Sequence, residues 1–226
     1  FSTPHGGGGP GAGPVVLSEA LAPFAPAPWV VHGSEGYELI EREEGDAAQA
    51  FGRLCAFQGQ MGMYVRALSY MMSHGSDGLR QVAEDAVLNA NYIKARLSDL
   101  MSPAFPDGPC MHEALFDDEW LKGTDVTTLD FAKAMIDEGF HPMTMYFPLV
   151  VHGAMLIEPT ETESKQELDR FIVALRALAG AAKGGDVDRF KGAPYHAPLK
   201  RLDETQAARK PRLRWKPVAA APLAAE

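Results

Sequence analysis

Cysteine is nearly missing from this chain: Cys55 and Cys110 are its only two among 226 residues. Two thiols cannot build a disulfide framework, and without a CxxC spacing they exclude a paired-thiol metal or redox motif. They read as free thiols in a reducing compartment, so the expected location is cytoplasmic. No apolar run reaches the length needed to cross a bilayer. The opening residues also lack the basic and then apolar order of a secretory signal. The chain does not open on Met either, and Phe1 reads as a cut end. Basic residues are outnumbered, 21 against 30 acidic, for a net charge of -9. That balance excludes general binding to nucleic acid or to an anionic membrane, since both need a basic face.

Apolar residues make up 46% of the chain and charged ones 23%, the proportions of a globular protein with a real core. Four stretches follow one another without an internal repeat. Residues 1–36 are rich in Gly and Pro, with apolar blocks at Val15–Leu17 and Trp29–Val31 that read as short strands between turns. Glu38–Asp46 reads as a solvated strand end and turn. Residues 50–101 are the most helical part and are broken at Gly75-Ser76-Asp77-Gly78, where Ser76 is placed to cap a second helix. Beyond the break, Leu79, Val82, Ala86, Ala90, Ile93, Leu97 and Leu100 recur at helical spacing.

Residues 103–186 alternate in type, which predicts an α/β unit. "CMHEALFD" reads as a strand, Thr127–Glu138 as a helix stopped by Gly139, and "MTMYFPLVVHGAMLIEP" as strands broken at Pro148 and Gly153. A last helix is expected from a capping box at Thr160–Glu163, with Leu168, Phe171, Ile172, Leu175 and Leu178 on one face. The tail from residue 187 is rich in Pro and basic residues, and is expected to have little structure of its own.

Four glycines in a row, in "FSTPHGGGGPGAGP", are the most unusual local feature. His-Gly-Gly-Gly suits an oxyanion loop, but the G-x-S-x-G elbow that must accompany it is missing. A phosphate-binding P-loop needs a Gly-Lys dipeptide, which the chain does not contain. A dinucleotide fingerprint needs a strand–turn–helix context, and none surrounds Gly6–Gly11. Two readings remain: a loop whose backbone closely approaches an anion or cofactor, or a plain linker. Elsewhere, His112-Glu113 has Phe116 where a zinc-binding HExxH helix needs its second His, so no metal site is expected. Glu158-Pro-Thr-Glu161 is assigned to helix capping alone.

Together with "LAPFAPAP", the glycine stretch resembles the C-terminal half of the glycine cleavage system P-protein family, the pyridoxal phosphate-dependent glycine dehydrogenases (decarboxylating). The likeness runs on in order through "GMYVRALSYMMSHGSDGLRQVAEDAVLNANYIKARL", "HEALFD", "DEGFHPMTMYFP", "MLIEPTETESKQELDRF" and "RLDETQAARKPRLRW". The closing segment is most similar to subunit 2 of the two-subunit bacterial form. Met111 and Met143 depart from the usual pattern.

The resemblance implies an α/β fold, the C-terminal part of a fold-type I pyridoxal phosphate enzyme. Residues 1–75 would end the large cofactor-binding domain, 76–102 would form a bridging helix, 103–186 a small C-terminal α/β domain, and 187–226 a surface-wrapping tail. The covalent lysine of the family lies in a Lys-Thr-Phe sequence, and Phe1 matches its Phe. That lysine position then precedes this chain.

His5 is the implied catalytic residue, and Thr3, Gly6, Gly7, Gly8 and Gly9 are the implied cofactor-binding residues. His141 and His112 are candidates for the cleft. The implied cofactor is pyridoxal 5'-phosphate, with glycine as substrate. Implied partners are P-protein subunit 1 and the lipoyl H-protein, in a dimer of heterodimers. The same fold serves aminotransferases and other amino-acid decarboxylases, and a non-catalytic scaffold fragment is a further alternative.

Overall fold

Gly75 breaks the long helical segment where the glycine-rich interruption lies. The helix α1 spans Met61–Leu97, but Gly75 sits at φ 66°, ψ −177°, outside helical geometry. A side chain at that φ would be strained, and glycine removes the strain. The structure is a computed structural model that describes residues 10–41, 49–50, 52–54 and 59–215. The chain divides into two units, Phe1–Arg80 and Gln81–Glu226.

In the first unit the apolar block at Trp29–Val31 forms strand β1, Trp29–Gly33, as predicted. It pairs antiparallel with β2, Gly36–Ile40, in a hairpin that joins Gly33 to Gly36 through Ser34 and Glu35. Val15–Leu17 forms no strand; Val15 and Val16 are exposed. The flanking prolines and glycines offer that block no partner to pair with. Of the described apolar residues in this unit, only Ala27 and Ala50 are buried.

The second unit holds the core. Strand β3, Ala114–Phe116, lies within the "CMHEALFD" stretch. Strands β4, Thr144–Met145, and β5, Met155–Ile157, come from the predicted pair. The three form one antiparallel sheet in the order β3-β5-β4. Helix α2, Thr128–Asp137, begins at a reciprocal capping box: the Thr127 hydroxyl accepts from the Asp130 N–H, and the Asp130 carboxylate accepts from the Thr127 N–H. Two orphan donors are satisfied at once.

Helix α3, Lys165–Lys183, starts later than the Thr160–Glu163 motif predicts. Its N-cap is Ser164, whose side chain accepts from the Glu167 N–H at 3.2 Å. Ser164 lies just outside the motif, and it alone stands three residues before that donor. The predicted inner face holds, with Leu168, Ile172, Leu175 and Leu178 buried and Phe171 partly so. The tail also differs from expectation: it forms α4, Val187–Lys191, and α5, Glu204–Arg209. Phe190 anchors α4 by burying its ring parallel to Phe131, centroids 6.2 Å apart.

Ile93 and Leu97 of α1, Phe116 of β3, Phe131 and Met135 of α2, and Met155 of β5 close the core with the α3 residues. At the end of α1 the carboxylate of Asp99 accepts two hydrogen bonds from Arg176 of α3, at 2.6 and 2.7 Å.

Gly153, at φ 56°, begins the return into β5; its carbonyl accepts from the buried Thr128 hydroxyl at 2.7 Å. A Cβ placed on Gly153 would collide with the Asp118 carboxylate. Gly153→Ala is therefore expected to destabilise the chain by about 1 kcal/mol or more, through positive φ and displacement of Asp118. Urea unfolding of the variant against wild type measures this.

Candidate functional site

Helix α1 carries two asparagines that organise one end of the sheet. The Asn91 side chain donates to the Cys110 carbonyl at 2.7 Å and accepts from the Cys110 N–H at 2.9 Å, which imitates a strand pairing. Asn89 donates to the Thr160 carbonyl at 2.8 Å. Cys110 lies two residues before His112, and Thr160 lies two residues after Glu158. The chain entering β3 and the chain leaving β5 are thus both tied to the same helix. Each tie satisfies backbone groups that would otherwise stand unpaired in a half-buried place.

That end of the sheet collects several of the titratable side chains singled out in the sequence. Ala114 pairs with Ile157, so the next positions outward bring Glu113 opposite Glu158. His112 joins them: its Nε2 lies 3.9 Å from the Glu113 carboxylate and 3.9 Å from that of Glu158. His141 precedes β4, which runs parallel to β3, so it enters the sheet from the same end on the other side of β5. It is exposed, with no hydrogen-bond or ion-pair partner among the described residues.

A cavity of about 420 Å³ opens beside the Cys110 clamp, lined by Phe105, Pro109, Met111, Phe147 and Leu156 among others. Lys94 stands at its wall and donates to the carbonyls of Phe105 and Gly108 at 2.7 and 2.9 Å. Burial pushes the Cys110 thiol up, so it stays protonated and is no ready nucleophile. The cavity wall continues into an exposed apolar turn, where Phe147, Leu149 and Val150 face solvent.

Sequence reasoning missed two partnerships because both join distant segments. Glu158 reaches His112 only through strand pairing. His152 contacts the Asp118 carboxylate at 2.8 Å, which raises the imidazole pKa above its ordinary value.

A lysine bound covalently to a carbonyl cofactor must lose its proton readily, so its pKa must be lowered. Four of the described lysines are engaged by other groups. Hydrogen bonding to Asp169 and then Tyr92 raises Lys165, and Glu119 raises Lys122. Lys191 is paired with Asp130 at 2.6 Å, and Lys183 donates to the Leu100 carbonyl. None of these four fits covalent attachment. The predicted loop residues Thr3, His5 and Gly6–Gly9 lie outside the described residues. No helix among the described residues is long and apolar enough to cross a membrane.

Comparison with known proteins identifies the family. Residues 82–198 match the family described as "Glycine dehydrogenase, C-terminal domain". A Caulobacter vibrioides protein named "Probable glycine dehydrogenase (decarboxylating) subunit 2" is 85% identical over 100% of this chain. A Methylococcus capsulatus protein of the same name is 47% identical over 98% of it. The chain spans 43% and 45% of those two relatives, less than half of each. A solved structure, "Crystal structure of glycine decarboxylase (P-protein) of the glycine cleavage system, in inhibitor-bound form", shares the fold. Its TM-score is 0.55 at 20% identity, over 71% of this chain and 37% of that one. The mixed α/β fold is thus that of the P-protein, in keeping with the C-terminal part of a fold-type I enzyme, and the chain belongs to the glycine dehydrogenase C-terminal domain family.

Proposed function

We propose that this chain is the C-terminal part of a glycine dehydrogenase (decarboxylating) subunit 2, working in the cytoplasm with a subunit 1. The carrying observation is 85% identity along the whole chain to a relative bearing that name. In this reading residues 1–75 end the cofactor-binding domain, 76–102 bridge, 103–186 form the small domain and 187–226 wrap its surface. The complete enzyme takes glycine, releases its carboxylate as CO₂ and passes the aminomethyl group to the lipoyl arm of an H-protein. The assembly is a dimer of heterodimers.

Pyridoxal phosphate, when bound, supplies the electron sink for that decarboxylation. This chain's part is to position and to exclude water. Gly6–Gly9 have no side chains, so their backbone N–H groups can approach an anionic group, and the space they leave admits a bulky lipoyl arm. In this reading Thr3 would supply a hydroxyl to the cofactor or the neighbouring backbone, and His5 would hold or move a proton. His141 and His112 are the further candidates for the cleft that the family resemblance implies. Lys94, Lys122, Lys165, Lys183 and Lys191 are each engaged by other protein groups, in keeping with a covalent lysine supplied from outside this chain.

Glycine-dependent exchange of labelled CO₂, with subunit 1 and lipoyl H-protein present, tests the reading. The full-length protein is expected to catalyse exchange, and Gly7→Val to lose most of it with little change in melting temperature, because a β-branched residue disfavours positive φ and fills the space. The 226-residue chain alone is expected to show no exchange and no borohydride-trapped pyridoxal on any of its lysines. Exchange by Gly7→Val at the wild-type rate contradicts the role of the loop. A full-length protein that transaminates glycine without exchanging CO₂ contradicts the activity itself.

A further inference from the structure

Several acidic side chains in the second unit are matched to a Lys or Arg. Asp99 faces Arg176, Glu138 faces Arg189, Glu167 faces Arg170, and Asp169 faces Lys165. Asp130 holds both Lys191 and Arg201. Glu113 and Glu158 are among the carboxylates that are not, and His112 is what they meet instead. They lie one position beyond the last pair of the β3·β5 ladder, Ala114 and Ile157, with carboxylate oxygens within 4.8 Å of each other, where like charges repel. Neither meets a Lys or Arg among the described residues, and the only group recorded against them is His112.

We propose that His112, Glu113 and Glu158 form a binding site for a divalent transition-metal ion of the zinc class. The donor atoms, one imidazole nitrogen and two carboxylate oxygens, all lie within 4.8 Å of one another. Ligands bound to one tetrahedral zinc at its usual bond lengths stand about 3.3 Å apart. The two His–Glu separations of 3.9 Å therefore need only a small inward rotation of side chains. The backbone beneath is already fixed by the strand register and by the Asn91 and Asn89 ties, so little entropy is lost in closing the site.

The donor set chooses the ion. An imidazole suits zinc, cobalt or nickel, whereas calcium and magnesium prefer oxygen shells of six or more ligands. Three protein ligands leave a fourth position for water, and all three side chains are partly open to solvent on the outer side. The site lacks the two histidines of an HExxH helix; its third ligand comes from 45 residues further along the chain, at Glu158. An ion here would neutralise the opposed carboxylates and clamp the entry of β3 to the exit of β5. Its expected effect is on stability, and it does not depend on the glycine-cleaving activity.

The test uses the untagged full-length protein, stripped of metal with a chelator and titrated with Zn²⁺ against a competing metal-sensitive dye at neutral pH. Wild type is expected to bind one equivalent that His112→Ala abolishes, with Glu158→Gln weakening it about tenfold or more. Thermal unfolding should show a rise in melting temperature with Zn²⁺ that is absent with Mg²⁺ or Ca²⁺ and absent in His112→Ala. Because His112 is exposed, that variant is expected to keep the wild-type circular dichroism. Equal Zn²⁺ stoichiometry and affinity in wild type and His112→Ala would overturn the proposal. So would an absence of binding to wild type, or an equal response to Mg²⁺ and Zn²⁺.

Discussion

One buried carboxylate ties the second unit together. The Asp130 side chain is 4% exposed, yet it is charged. It accepts from the Thr127 N–H at 3.0 Å and hydroxyl at 2.8 Å, from Lys191 at 2.6 Å and from Arg201 at 2.7 Å. These contacts join the start of α2 to α4 and to the segment beyond it. Arg201 goes on to donate to the carbonyls of Phe190 and Ala193, which brackets the buried Phe190 ring. Burial alone would raise the Asp130 pKa; Lys191, Thr127 and Arg201 outweigh it and hold the carboxyl at about 2. That difference from its unfolded value corresponds to about 2 kcal/mol of stability at neutral pH. A buried ion with this many partners is satisfied, whereas one with a partner removed would be costly.

With α2 and α4 fixed, the sheet has a firm back on which its open end is arranged. Asn89 and Asn91 then hold the two strands' loose ends to α1, and the candidate histidines gather there. The exposed apolar turn at Phe147–Val150 borders the same region.

The legible parts of the fold were those governed by local rules. The 3.6-residue spacing of Leu168, Ile172, Leu175 and Leu178 marked the buried face of α3, and Gly75 marked the break in α1. The helix α2 was readable within Thr127–Glu138 because Gly139 stops it. The helices α4 and α5 were not, since one is held by Phe190 and the Asp130 network and the other by an Asp203 cap amid prolines. Capping at Thr160–Glu163 looked sufficient, but Ser164 competed for the same role one residue later. At the site, His112, Glu113 and His141 were visible as residue types, while Glu158 was read as helix capping alone. Its meeting with His112 depends on strand register, which no local spacing encodes.

Urea unfolding of wild type and Asp130→Asn as a function of pH tests the dependence on this carboxylate most directly. Its folded pKa lies below the unfolded value of 3.8, so its stabilisation is complete above about pH 4 and is lost as pH falls through about 2. Wild type should lose stability over that window. Asp130→Asn should start less stable at neutral pH and lose about 2 kcal/mol less across it. Parallel pH profiles for the two proteins, or equal stability at neutral pH, would contradict the central place given to Asp130.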